Sequence, residues 1–222
     1  MLSAAREQNK PRILIADDQA IVAAGVCKLL EGSCEVVGIV EDGLTLLEVA
    51  HRLRPNIIVL EVLLPQMHGI DAARRLAKLV PLSRLIFLTT HNSPTMAIEA
   101  FHAGASAYVL KRSPPSVLGQ AIRVVMKEQQ FVCPLMTRDP LAAGRSGLDS
   151  DAIKRPLSSL TSRQREVLQL IAEGRGTKEV AFLLKITVRT VEFHKFKIME
   201  QLNLHSTVAL AKCAIVEGLV SL

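Results

Sequence analysis

Five short apolar runs recur along residues 12–130, each followed by a helix-length amphipathic stretch. The runs are Ile13–Ala16, Glu35–Val40, Ile57–Leu60, Leu85–Leu88 and Ala107–Leu110. Their length and β-branched content read as strands. A run that is apolar at every position, not at alternate ones, suits a parallel sheet buried on both faces. Between the runs, residues 20–31, 44–53, 70–79, 95–103 and 115–128 carry apolar side chains at three- and four-residue spacing. Strand–helix alternation of this kind predicts a doubly wound, five-stranded parallel α/β domain with few allowed topologies.

The pattern changes after Gln130. Residues 131–159 contain Pro134, Pro140 and Pro156 among Gly, Ser and Asp clusters, which reads as a linker, with a short helix placed near Pro140 to Ala143. From Leu160 onward the period is helical. Four helices are expected, at Ser162–Glu173, 177–184, Val188–Leu202 and Ser206–Glu217, with Thr161 as an N-cap and Gly174 as a C-cap.

The net charge of +6 permits a polyanionic partner without requiring one. It is distributed unevenly: residues 160–222 hold 9 basic and 6 acidic residues, against 14 and 12 in residues 1–130. A polyanion would therefore meet the helical part. Aromatics are scarce, so the cores must be aliphatic. No apolar run reaches the ~18–20 residues of a membrane helix, and Met1 to Lys10 lacks an apolar signal region. Cys27, Cys34, Cys133 and Cys213 lie far apart with no CxxC pair, against a zinc site or a disulfide framework. Together these predict a cytoplasmic protein with reduced thiols and no membrane partner.

In a doubly wound sheet, function gathers at the carboxyl ends of the strands. Those exits carry Asp17-Asp18, Glu61, Thr89-Thr90 and Lys111. With strand order 2-1-3-4-5 they lie side by side. Crowded carboxylates repel unless a cation compensates; a hard divalent ion such as Mg²⁺ suits their oxygens, and Lys111 supplies a second positive charge. Taken singly, Asp17 could be a helix cap and Thr89 a backbone partner; four exits together favour a site.

ILIADDQ, IIVLEVLLPQMHGID, IFLTTH and GASAYVLK resemble the receiver domain of two-component response regulators, over residues 11–130. The resemblance implies that Asp17 and Asp18 help hold Mg²⁺, with the strand-three carboxylate as a further ligand. It implies that Thr89 and Lys111 contact a phosphoryl group, and that Tyr108 is a switch aromatic. The phosphoacceptor position, an Asp in the family, is Glu61 here; the Met and Asp that follow in the family pattern are Leu64 and His68. A Glu arm is longer by about 1.5 Å. It is expected to carry its oxygens towards Lys111 and Thr89, imitating a phosphoaspartate in part and disfavouring in-line phosphoryl transfer. An intact mass after treatment with acetyl phosphate and Mg²⁺ separates this from ordinary phosphorylation. The bland alternative is a pocket no longer in use.

Residues 177–184, a turn at Lys185–Thr187 and Val188–Leu202 fit a helix-turn-helix, with Val191, Ile198 and Leu202 as its buried stripe. By itself that is a weak signal. The full segment LTSRQREVLQLIAEGRGTKEVAFLLKITVRTVEFHKFKIMEQLNL is similar to the LuxR-type DNA-binding domain of the NarL/FixJ subgroup, over residues 158–222. The likeness implies that Val188–Leu202 enters the major groove, through Thr187, Arg189, Thr190, Glu192, Phe193, His194, Lys195, Phe196 and Lys197. Arg189, Lys195 and Lys197 suit phosphates, which position without specifying. Phe can touch a thymine methyl and Glu can accept from cytosine; packing against a neighbour is the competing role for the two Phe. It further implies a homodimer on DNA through Val208, Ala211 and Ile215. Half-sites would then lie one DNA turn apart.

The expected function is a DNA-binding transcriptional response regulator, with double-stranded DNA, a second copy and a histidine kinase or other regulatory protein as partners. The alternative is a protein-interaction adaptor with secondary DNA binding. An enzyme is disfavoured, because the sequence offers no nucleophile–base pair and no nucleotide-binding glycine loop.

Overall fold

The structure, a computed structural model, describes residues 10–137 and 156–220. The first domain runs β1 (Arg12–Ala16), α1 (Ala20–Leu30), β2 (Glu35–Val40), α2 (Gly43–Leu53), β3 (Ile57–Leu60), α3 (Gly69–Leu79), β4 (Arg84–Thr89), α4 (Pro94–His102), β5 (Ala105–Leu110) and α5 (Pro115–Val125). Each apolar run becomes a parallel strand, and the strand order is β2-β1-β3-β4-β5.

The reason is visible along any central strand. In β3, Ile57 and Val59 face one core with Val26, Ala121 and Ile122; Ile58 and Leu60 face the other with Leu46, Ala73 and Leu76. Strands with apolar side chains on both faces need helices on both faces, and α1 and α5 cover one side while α2, α3 and α4 cover the other.

The five-strand expectation is corrected to six. β6 (Phe131–Val132) pairs parallel with β5, and a one-turn helix α6 (Pro134–Thr137) follows. Phe131, Cys133 and Met136 are buried in the sheet's cores. The start of the 131–157 segment is thus part of the first domain. Two residues are too short for a period, so Phe131–Val132 resembled the loop that follows it. The helix expected near Pro140 to Ala143 lies outside the described residues.

After a short 3-10 helix (Pro156–Ser159), the second domain comprises α7 (Ser162–Ala172), α8 (Thr177–Leu183), α9 (Val188–Leu202) and α10 (Thr207–Val216). Its own core gathers Leu160, Val167, Leu168, Val180, Val191, Ile198, Leu210 and Ala214, with Leu202 packed beside it. Thr161 caps α7 in a reciprocal capping box with Gln164. Gly174 closes it at φ 82°, and the Arg175 N–H returns to Leu170 O. The turn between α8 and α9 places Lys185 at φ 52°, a left-handed position usually left to Gly.

Candidate regulatory site and nucleic-acid interface

The β-ladder continues one residue beyond two strands: Glu61 N–H donates to Ala16 O at 2.9 Å and Lys111 N–H to Thr89 O at 2.7 Å. Gly69 fixes the approach of α3, since a Cβ there would stand 2.2 Å from Glu61 O. At this edge Lys111 Nζ lies 2.7 Å from Asp17 Oδ2 and 2.8 Å from Glu61 Oε2, with all three side chains less than a tenth exposed. These are ion pairs without well-directed hydrogen bonds. Burial disfavours the ammonium, but the two carboxylates outweigh it and hold the Lys111 pKa above its ordinary value.

The remaining oxygens are also engaged. Asp17 Oδ1 accepts the Gln19 N–H at 3.0 Å, and Glu61 Oε1 accepts the Val62 N–H at 2.6 Å. Glu61 therefore reaches Lys111 as the longer arm suggested, but it does not meet Thr89. The adjacent backbone amide takes its second oxygen first. Thr89 is fully buried and its Oγ1 accepts the His91 N–H at 3.2 Å. Tyr108 is also fully buried, stands 6.1 Å from the Phe87 ring, and donates its hydroxyl to His91 O at 2.9 Å. Burial, with Glu61 second, pushes its phenol pKa up. Asp18 is exposed. The structure thus joins Asp17, Glu61 and Lys111, ties Thr89 of β4 and Tyr108 of β5 to His91 in the β4–α4 loop, and leaves Asp18 outside these contacts.

A divalent ion such as Mg²⁺ requires carboxylate oxygens free to ligate it. Here each oxygen of Asp17 and of Glu61 already has a protein partner, and among the described residues no three His, Cys, Asp or Glu side chains converge. The Lys111 ammonium is the cation that both carboxylates face.

The second domain presents α9. Val191 and Ile198 are buried, while Arg189, Glu192, Phe193 and Phe196 are exposed and Lys195 and Lys197 half-exposed. Thr187 and Thr190 work as the cap: Thr187 Oγ1 accepts the Thr190 N–H at 3.1 Å and lies 2.8 Å from its hydroxyl. Glu192 accepts the Thr177 hydroxyl at 2.9 Å, Lys197 pairs with Glu200 at 2.6 Å, and His194 is half-buried, edge-on to Phe193. The proposed dimer residues divide: Val208 is exposed, Ala211 is half-buried and Ile215 packs partly on its own core.

Sequence reasoning missed the seam between the domains. The β3–α3 loop and α3 meet α7. Arg165 grips Asp71 with Nη2 at 2.9 Å and Nε at 3.1 Å, and Arg75 pairs with Glu166. Arg74 and Arg163 add contacts of 2.7 and 2.8 Å to the same two carboxylates. Gln169 donates to Leu64 O at 2.7 Å, and the Gln66 N–H donates to Glu173 at 2.9 Å. Partners some ninety residues apart leave no mark in local spacing, although two departures from the receiver pattern, Leu64 and His68, both fall here. His68 caps α3, accepting the Ile70 N–H at 3.4 Å, and hydrogen-bonds backbone of Gly218. Burial lowers its pKa to about 4, against an opposing pull from Asp71.

This seam has a pH consequence. The folded His68 pKa lies below the ordinary 6.5, so its neutral form is favoured on folding. Its contribution is present above pH 6.5 and is lost as pH falls towards 4. The unfolding free energy from urea titrations should drop by roughly 3 kcal/mol over that window, and His68→Gln should flatten the drop; an unchanged slope in the variant refutes the assignment.

Residues 13–123 match the family model for the response regulator receiver domain, and residues 158–214 that for bacterial regulatory proteins of the luxR family. The chain is 30% identical over 214 residues to the oxygen regulatory protein NreC of Staphylococcus carnosus, covering 94% of this chain and 99% of that one. Among solved structures it is similar to the RcsB response regulator of Salmonella typhimurium, at 25% identity and a TM-score of 0.60, covering 96% of this chain and all of the other. It is also similar to RcsB dimers bound to two parallel DNAs, at 27% identity and a TM-score of 0.56, covering 92% and 98%. The chain belongs to the two-component response regulators that join a receiver domain to a LuxR-type helix-turn-helix, and it is a DNA-binding transcription regulator of that type.

Proposed function

We propose that this regulator's receiver is set by its own sequence and not by phosphorylation of an aspartate. The observation that carries the reading is the Glu61–Lys111 contact, 2.8 Å, made inside a buried site where Lys111 already holds Asp17. Receiver domains generally bind Mg²⁺ for phosphorylation; here the lysine supplies the counter-charge that such an ion would bring. The mimicry is one-sided, because Glu61 carries about one charge where a phosphoryl group carries closer to two, and Thr89 stays with His91. Phosphoryl transfer would also require the attacking oxygen to be placed to well under an ångström, and both Glu61 oxygens are held elsewhere.

The second support is the position of α9. The receiver docks on α7, and the outer face of α9 stays exposed. In this reading the protein binds DNA as a homodimer without a kinase's signal. The roles of the α9 residues follow from it: Arg189, Lys195 and Lys197 meet phosphates, and Glu192, Phe193 and Phe196 face bases.

Acetyl phosphate with Mg²⁺, followed by intact mass, tests the receiver. Wild type should stay unmodified, and Glu61→Asp should gain an adduct of about 80 Da, one phosphoryl group. A stoichiometric adduct on Glu61 would overturn the proposal. DNA affinity should fall steeply with salt, as phosphate contacts require.

A further inference from the structure

We infer that Phe193 and Phe196 read thymine methyl groups, so that this regulator selects its DNA by an apolar contact in the major groove. The inference rests on the DNA-binding reading above and specifies the ligand of that surface.

Phe193 is 58% exposed and Phe196 63%. Single exposed apolar residues are ordinary, but these two are neighbours on one helix face. At about 100° per residue, Arg189, Phe193, Phe196 and Glu200 all fall within about 40° of the direction opposite the Val191–Ile198 stripe. Both rings therefore stand as far from their own core as α9 allows, where a helix facing only water would carry polar groups. The receiver does not shelter them. The turn before α9 meets the receiver surface through Lys185 and Glu48, 3.6 Å apart and exposed on both sides.

The surroundings select the occupant. Basic side chains flank the rings: Arg189 one turn before Phe193, Lys195 and Lys197 on either side of Phe196, with the Lys197 ammonium 5.9 Å from the Phe196 ring centre. An apolar patch within a cationic border suits a polyanion with apolar groups on its reading edge. The thymine C5 methyl is the apolar group that the major groove offers. Glu192, the acidic residue beside Phe193, is turned to the Thr177 hydroxyl at 2.9 Å, which leaves the rings as the foremost groups of the face.

The test uses the full chain and a pool of duplexes with about 30 randomised base pairs, enough for two half-sites one helical turn apart. A duplex enriched from the pool is remade with deoxyuridine in place of thymidine, which removes the methyls and leaves base pairing intact. Burial of a methyl is worth about 4-fold, and of two about 15-fold. Wild type should bind the thymidine duplex tighter by about that factor. The double variant Phe193→Ala, Phe196→Ala should lose the same factor on the thymidine duplex and no longer distinguish the two. Phe196→Leu, still apolar, should retain part of the discrimination. Equal binding of both duplexes by wild type, or undiminished discrimination by the double alanine variant, overturns the inference while leaving DNA binding in place. Failure to enrich any duplex at low salt overturns both this inference and the reading beneath it.

Discussion

Arg165→Glu is expected to part the two domains. The substitution sets a carboxylate against Asp71, which is 3% exposed and receives the Arg165 guanidinium through two hydrogen bonds. Burial alone would raise the Asp71 pKa; Arg165, ahead of His68 and Arg74, overrides it and holds it below the usual carboxylate range. With only Arg74 left on Asp71, two carboxylates then meet at a buried seam, and breaking a buried pair in this way costs up to about 3–5 kcal/mol. Solvation is at hand once the domains separate, so the loss should appear as undocking and not as unfolding of either core. Small-angle scattering should show a radius of gyration clearly above the about 17 Å of a compact chain of this length. The cycle Asp71→Ala, Arg165→Ala and the double variant isolates the pair, and a coupling near zero would dismiss it. Undocking should leave DNA affinity nearly unchanged, because the outer face of α9 is already open when the domains are joined. A tenfold rise in affinity on undocking would mean that the docked receiver hinders DNA, contrary to the proposal.

That experiment probes the part of the molecule least legible in the sequence. The sheet was readable because each strand's unbroken apolar run is local: Ile57, Ile58, Val59 and Leu60 are apolar on both faces whatever surrounds them. The helices were readable for the same reason, and α9 keeps its expected bounds, Val188–Leu202. Asp17, Glu61, Thr89 and Lys111 were readable because a parallel sheet brings its strand exits to one edge. How those groups share their bonds was not. Whether Glu61 met Thr89 depended on the reach of its own next amide, Val62 N–H at 2.6 Å, a competition invisible in residue types. The seam was hidden more deeply. Nothing in local spacing marks Asp71 or Glu166 as a buried partner of an arginine, and the structure buries both. The two-residue β6 lay below the length at which any period exists.

Lys111→Met should be the most damaging single change within the receiver. Methionine keeps most of the lysine's length and apolar stem, so packing is largely preserved and the loss is electrostatic. Asp17 and Glu61 would then face each other, 4% and 6% exposed by side chain, with no counter-charge between them. The expected cost is about 3–5 kcal/mol, read as a lowered urea midpoint of the receiver transition. Lys111→Met with Glu61→Gln should recover much of it, since the amide removes one of the two opposed charges; failure to recover would place the damage in packing. The alkaline limb gives an independent reading. The folded Lys111 pKa lies above the ordinary 10.5, so its contribution is complete below that value and is lost as pH rises through the raised folded one. Wild type should therefore weaken above about pH 10.5 more steeply than Lys111→Met. Parallel alkaline slopes would show that Lys111 does not bind the two carboxylates together. The receiver would then owe its state to something other than this ion triad, and the case for Glu61 as a built-in signal would fall with it.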